Sequence, residues 1–411
     1  MRNRLRTTLQ TFPTPFWFLL LATFIDRLGG TLIFPFFALY VTAKFGVGMT
    51  EAGVLFAIFS VTNFTGGILG GALTDRFGRK SIALFGLVFS ALSSVSMGLV
   101  QDLNALLMLA GLVGVLAEVG APARQAMVAD LLTEDQRAQG FGLLRVVANV
   151  AWILGPTIGG LLAARSYLLL FVLDAVSSLI TAAIFQRYIP ETHPQSEGPR
   201  GRESTVRTIL DYRKVLADRV YMSFLLVSML MLLAYIQLYS TLSVFLRDVH
   251  GVPPRGYGLL MSLNATLVVI TQFWVTRQTQ RYPALLTMAG GAAFYLLGFT
   301  LYGFVATFPL FILAMLVITV GEMIVLPVGH ALVARFAPEA MRGRYMAIFG
   351  LAWTIPAAVG PWAAGIIMDQ YSPYWVWYAA GLVSGAAVLG FIGLHILHRD
   401  QLGAPETSAL E

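Results

Sequence analysis

Asp26, Arg27, Glu118, Arg145, Asp174 and Glu322 are ionisable side chains inside long apolar stretches of this chain. A charge in such surroundings is costly unless it is paired, hydrated or neutralised by a proton, so each is a candidate for chemistry. Desolvation raises a carboxylate's proton affinity and a neighbouring guanidinium lowers it. A carboxylate held between those influences can take up and release a proton. Asp26, Glu322 and Glu118 are the candidates for that role. Around them, Asn149 and Trp152 follow Arg145 on one helical face, and Tyr235 and Tyr239 lie one turn apart with Gln237 on another face. Trp353 is a further aromatic candidate. Simpler roles stay open. Asp26 can neutralise Arg145 or Arg27, Arg27 can serve as counter-ion to Glu118 or Asp26, and Asp174 reads as structural. Glu322 has only His330 as a basic neighbour in sequence. Tyr235, Tyr239, Trp152 and Trp353 are packing aromatics or ligand contacts.

The elements that must position these groups follow from composition. Of 411 residues, 57% are hydrophobic and 12% charged, more apolar surface than a soluble domain can hide but suited to a bilayer. Twelve segments have the length of a membrane-spanning helix: 16–42, 51–73, 81–100, 104–130, 138–164, 167–188, 221–247, 256–277, 284–304, 309–334, 343–369 and 374–396. The basic start (Arg2, Arg4, Arg6) and the apolar run that follows resemble a signal peptide, but the run is too long for a signal core and no cleavage site follows it. It reads as span 1. Asp26 lies about ten residues into that span, hence about 15 Å deep, near the midplane.

The chain also repeats itself at an offset of 205 residues. Gly46 matches Gly251, Gly53 matches Gly258, Gly86 matches Gly291, Phe89 matches Phe294, Pro122 matches Pro327, Glu134 matches Glu339, Arg137 matches Arg342, and Gly155-Pro156 matches Gly360-Pro361. Membrane proteins built from two equal repeats usually work where the repeats meet. The expected organisation is a six-helix bundle over 1–188, a cytoplasmic linker over 189–220 and a second six-helix bundle over 221–411. Residues 204–217 read either as a short surface helix capped by Ser204 or as solvated linker.

Lys and Arg placement orients the chain. With the N-terminus inside, inner loops and tails hold Arg2, Arg4, Arg6, Arg76, Arg79, Lys80, Arg137, Arg187, Arg277, Arg281, Arg335, Arg342, Arg344 and Arg399, whereas outer loops hold only Lys44, Arg165, Arg247 and Arg255. Both termini are expected in the cytoplasm. The formal charge of +6 then reflects the cytoplasmic loops, and no nucleic-acid partner is implied. The absence of cysteine excludes disulfides and thiolate metal sites. No nucleophile elbow, His-Glu metal helix or phosphate-binding loop is present, so neither an enzyme nor a self-contained ATP-driven pump is expected, and no cofactor or metal.

After span 2 comes Gly71-Ala72-Leu73-Thr74-Asp75-Arg76-Phe77-Gly78-Arg79-Lys80. It resembles the signature of the major facilitator superfamily in the loop between spans 2 and 3. The resemblance implies a glycine at a close helix approach and a charge cluster of Asp75, Arg76 and Arg79, with Gly78 in the turn and Asp130 as acidic partner at the inner end of span 4. That cluster would latch the cytoplasmic side. The second-half counterpart, Gln280-Arg281-Tyr282-Pro283, lacks the acid. In span 5, Gly155-Pro156-Thr157-Ile158-Gly159-Gly160 is similar to the exporter motif of the drug-proton antiporter branch. Proline bends a helix and glycines let it pack tightly, so Gly155, Pro156, Gly159 and Gly160 are kink and packing positions. The branch usually carries an arginine in the first half of span 4, where this chain has Ala110.

The resemblance implies an all-α membrane protein of twelve helices in two pseudo-symmetric bundles, a monomer in the cell inner membrane, with spans 1, 4, 7 and 10 lining a cavity. Three of those spans carry an acid, and span 7 offers Tyr235 and Tyr239. Arg27, Arg145, Asn149, Trp152, Tyr235, Tyr239 and Trp353 are the candidate cavity residues. The expected function is proton-coupled efflux of hydrophobic or amphipathic small molecules by alternating access, with organic cations favoured among aromatic walls. The missing span-4 arginine keeps open a lipid, sugar or metabolite carrier, uncoupled to protons.

Overall fold

The computed structural model describes residues 11–192 and 212–398. Among them are twelve helices long and apolar enough to cross a membrane: Thr14–Phe45, Met49–Phe77, Arg79–Leu99, Leu103–Leu131, Glu134–Ala163, Tyr167–Tyr188, Arg219–Leu238, Pro254–Thr279, Ala284–Tyr302, Phe308–Phe336, Arg342–Gln370 and Tyr374–Leu397. They are spans 1 to 12 in chain order. The described residues contain no strand. Span 7 stops earlier than expected, at Leu238, and its expected remainder is a separate helix, Leu242–His250. Of the predicted surface helix, residues 212–217 are helical; Ser204 and the rest lie outside the described residues, as do Arg2, Arg4, Arg6 and Arg399.

The chain forms two compact units. Unit 1 takes spans 1, 3, 4, 5 and 6, span 2 from Ala57 onward, and the segment Pro253–Ala265. Unit 2 takes spans 7, 9, 10, 11 and 12, span 8 from Thr266 onward, and Gly48–Phe56, the first turns of span 2. In unit 1, span 1 packs on spans 5 and 6, and span 3 packs on spans 4 and 6. In unit 2, span 7 packs on spans 11 and 12, and span 9 packs on spans 10 and 12. These are the same four pairings moved by six spans, as an internal duplication requires. Each unit has its own buried core. In unit 1, Phe16, Leu19, Leu87, Met127 and Phe185 are among its members; in unit 2, the fully buried Trp377 sits against Phe245, Phe299 and Tyr302.

Helix interruptions fall where residue chemistry predicts them. Pro122 has no N–H to give the Glu118 carbonyl, and regular helix breaks at Val119, between Leu103–Glu118 and Gly120–Leu131. The repeat mate Pro327 likewise leaves the Met323 carbonyl without its helical donor, and the Gln272 side-chain amide donates to it at 2.9 Å. Span 1 tightens to a 3₁₀ turn at Phe34–Phe36, around Pro35. Span 7 tightens at Ile236–Leu238 without a proline. There the buried Gln237 donates to the Leu233 carbonyl at 3.0 Å and accepts from the Thr241 hydroxyl at 2.6 Å, offering the backbone a competing set of partners. Gly46 and Gly251, matched in sequence, both end a helix in the left-handed region at φ 65° and 64°.

Candidate functional site

Unit 1 contains a cavity of about 230 Å³. Span 1 brings Asp26 and Arg27 to it, the second segment of span 4 brings Arg124 and Gln125, and span 5 brings Arg145. Leu19, Val128, Phe141, Leu144 and Phe185 supply apolar wall. Asp26 pairs with Arg124, Nη2 to Oδ2, at 4.0 Å. Both side chains are about a quarter exposed, 22% and 25%, so water reaches the pair. Glu118 feels the charges of Arg124, Arg27 and Asp26, which joins two of the expected acids in one electrostatic cluster. Among the described residues Arg145 has neither an ion pair nor a hydrogen bond, and it is exposed. Asn149 and Trp152 do not line this cavity, although they follow Arg145 on its helix; Trp152 stands edge-on to Phe34 at 6.2 Å.

Arg124 is the functional candidate missing from the sequence analysis. An uninterrupted helix sets it about 120° around from Glu118. The break at Val119 removes that fixed phase. The signal was present in the form of Pro122, two residues earlier. Ala110, where the antiporter branch has its arginine, is fully buried.

The second acidic centre lies in unit 2. Glu322, 9% exposed, accepts a hydrogen bond from the Tyr235 hydroxyl at 2.9 Å. Tyr235 and Tyr239 share a hydroxyl–hydroxyl bond of 3.0 Å. Tyr295 stacks on Tyr235 at 5.7 Å, and Trp353 meets it edge-on at 5.9 Å. His330, the one basic neighbour of Glu322 in sequence, is bonded through Nδ1 to the Leu326 carbonyl of its own helix. Asp174 is buried and accepts from the Ser94 hydroxyl, as a structural acid would.

The loop between spans 2 and 3 forms a third site. Arg79 pairs with Asp130 and donates weakly to the Ala126 carbonyl at 3.4 Å. Gly78 turns the chain at φ 89°. Glu191, expected only as linker, caps span 3 by accepting from the backbone N–H groups of Arg79 and Lys80, each at 3.0 Å. Asp75 is exposed and Arg76 lies over the Phe77 ring at 5.2 Å. The expected close approach at Gly71 is not there, since a Cβ at Gly71 would meet nothing within 4 Å. It occurs one residue earlier. A Cβ at Gly70 would come within 2.3 Å of the Val119 carbonyl oxygen, and one at Gly66 within 2.2 Å of the Val115 oxygen. Gly66 and Gly70 share a face; Gly71 is about 100° around from it.

The span-5 motif packs as its glycines suggest. A Cβ at Gly155 would strike Thr31, one at Gly159 would strike the Leu32 carbonyl and the Phe36 ring, and one at Gly160 would come within 2.9 Å of the Pro254 oxygen. Gly258 reaches within 2.3 Å of the Pro156 carbonyl by the same measure. The second half repeats this crossing, with Gly53 against Pro361 and Trp362, and Gly365 against Met49 and Thr50.

The Major Facilitator Superfamily profile matches residues 19–277 and 240–410. The chain belongs to the major facilitator superfamily. This major facilitator is 26% identical over 404 residues to a Na(+), Li(+), K(+)/H(+) antiporter of Planococcus maritimus, covering 89% of this chain and 92% of that one. It is 24% identical over 395 residues to multidrug resistance protein MdtH of Salmonella newport, covering 93% and 94%. Among solved structures, nucleoside transporter NupG superposes with a TM-score of 0.79 at 14% identity, covering 93% of this chain and 99% of that one. A POT family transporter in complex with 5-aminolevulinic acid gives 0.78 at 15% identity, covering 95% and 97%. The major facilitator described here is therefore a multi-pass membrane protein and a secondary transporter, and not an enzyme.

Proposed function

We propose that this major facilitator is a proton-coupled exporter of amphipathic small molecules. It works as a monomer in the cell inner membrane, by alternating access, with both termini in the cytoplasm. The observation that carries this reading is the Asp26–Arg124 pair at 4.0 Å on the wall of the unit 1 cavity. An ionised Asp26 holds Arg124. A proton on the Asp26 carboxylate removes that attraction and frees the guanidinium, so proton and substrate binding act on one charge balance. Linkage of this kind couples the two without a dedicated relay. One charge crossing the membrane is worth about 2.3 kcal/mol per 100 mV, enough to drive accumulation. Glu322, held by Tyr235, is the second proton-binding candidate, and Glu118 tunes the first through its shared neighbours. The Arg79–Asp130 pair fits a latch at the cytoplasmic ends of spans 3 and 4. The names of the antiporter and multidrug relatives agree with this reading.

Its rival is an uncoupled carrier of a lipid, sugar or metabolite, which Ala110 supports by removing the usual span-4 arginine. Proteoliposomes with an imposed pH gradient and a panel of amphipathic dyes of both charge signs separate the two. The expected result is gradient-driven dye movement that Asp26→Asn abolishes. Movement at the same rate with and without the gradient would establish the rival.

A further inference from the structure

We propose that the unit 1 cavity receives the acidic group of an amphipathic organic anion, a carboxylate, sulfonate or phosphate, with Arg145 as its principal contact and Arg27 as the second. This deepens the transport reading above and rests on it for the role of the cavity, while the charge argument stands on the cavity alone.

The wall carries three guanidinium groups, Arg27, Arg124 and Arg145, and a single carboxylate, Asp26. That carboxylate is engaged by Arg124. Glu118 acts electrostatically on Arg124 and Arg27. Neither Arg145 nor Arg27 has an ion pair or hydrogen bond among the described residues; Arg27 acts electrostatically on Glu118, and Arg145 stands 11 residues into a 30-residue helix, away from either end. A guanidinium at such a depth calls for a counter-charge, and its planar fork suits the paired oxygens of a carboxylate or phosphate. The rest of the ligand would meet Leu19, Phe141, Leu144 and Phe185. The volume, about 230 Å³, falls below the usual range of roughly 300–1,000 Å³ for drug-sized ligands, so the apolar body is compact. The organic cations expected among aromatic walls match the surroundings of Glu322, where Tyr235, Tyr239 and Trp353 gather. They do not match this cavity, whose excess charge is positive.

Two probes of like shape and opposite charge test this: 2-naphthoate and 2-naphthylmethylammonium, titrated calorimetrically into the full-length protein in nanodiscs. Naphthoate is expected to bind, with the ammonium about tenfold weaker or worse. Arg145→Ala is expected to weaken naphthoate about tenfold, and Arg145→Lys to restore part of the loss. Far-UV circular dichroism and the melting temperature show that each variant is folded. Equal affinity for the two probes, binding of neither, or an unchanged naphthoate affinity in folded Arg145→Ala would overturn the proposal. Naphthoate that binds through Arg145 but does not move under a pH gradient leaves this inference standing and removes proton coupling. A cation moved by the gradient, with no anion bound, does the reverse.

Discussion

Thr50 and Asp369 are 319 positions apart, yet the Asp369 carboxylate accepts from both the Thr50 backbone N–H, at 2.7 Å, and the Thr50 hydroxyl, at 2.6 Å. Its other oxygen accepts from the Met49 N–H at 3.0 Å. The first N–H groups of a helix have no partner within it, and here span 11 supplies the cap to span 2. The repeat mate of Asp369 is Ala164, which cannot cap, so the device exists once. Asp369→Ala is expected to lower stability by about 1–2 kcal/mol and Asp369→Asn by less, since an amide still accepts. Melting temperatures in detergent check the order.

The two repeat-related glycine crossings make a paired prediction. A Cβ at Gly53 would sit 2.4 Å from the Trp362 Cα, and one at Gly258 would sit 2.3 Å from the Pro156 oxygen. Backbone cannot move aside as a flexible side chain can. Gly53→Ala and Gly258→Ala are each expected to cost about 1–3 kcal/mol. Gly67→Ala, where a Cβ meets nothing within 4 Å, serves as the neutral control. Equal melting temperatures for all three would contradict the crossing geometry.

The Arg79–Asp130 pair is partly exposed, at 16% and 25%. Its coupling in a double-mutant cycle of Arg79→Ala and Asp130→Ala is expected at about 1 kcal/mol or less, falling with added salt. A salt-independent coupling would mean that the contact is one of packing.

The Tyr235 hydroxyl bonds to both Glu322 and Tyr239. Tyr235→Phe removes that hydroxyl and keeps the ring. Leaving the buried carboxyl without this donor is expected to cost about 1–3 kcal/mol. Tyr239→Phe removes a hydroxyl–hydroxyl bond and is expected to cost less. Chemical denaturation of the two variants side by side checks the difference.

His250, at the end of the helix after span 7, gives a pH prediction. Its ring packs against Phe311 and Phe245, and its Nε2 is buried without a hydrogen-bond partner among the described residues. Burial pushes its pKa below the ordinary 6.5. The unfolded chain therefore binds the proton more readily, and stability rises with pH through that window. The contribution is whole above the ordinary value and is lost as pH falls below it toward the folded value. His250→Phe is expected to flatten the fall in melting temperature between pH 7.5 and 5.5, an interval of about one unit either side of a free imidazole's pKa. An unchanged slope would assign the pH dependence to other groups.

Much of the architecture was legible in the chain itself. Apolar runs of membrane length set the twelve spans, because a bilayer tolerates few alternatives, and the 205-residue repeat carried through to matched helix caps at Gly46 and Gly251 and to matched prolines at Pro122 and Pro327. The span-5 glycines and Asp130 also pointed to real contacts. Partner choice was less legible. Asp26 had Arg27 beside it in sequence and Arg145 as a plausible mate, but pairs with Arg124. Glu322 had His330 on its own helix, but is held by Tyr235 from span 7. Gly71 carried the motif, but Gly70 carries the crossing.

The division has a physical cause. Hydropathy, helix-breaking prolines and left-handed glycines act within a few residues of themselves, so sequence alone determined where helices run, break and end, and that the chain spans a membrane. Which charge meets which depends on the rotation of each helix about its axis, and that is set by close packing against helices distant in the chain. Only the tertiary structure could bring Asp26 to Arg124, leave Arg145 without an ion pair among the described residues, and place Asp369 over the start of span 2.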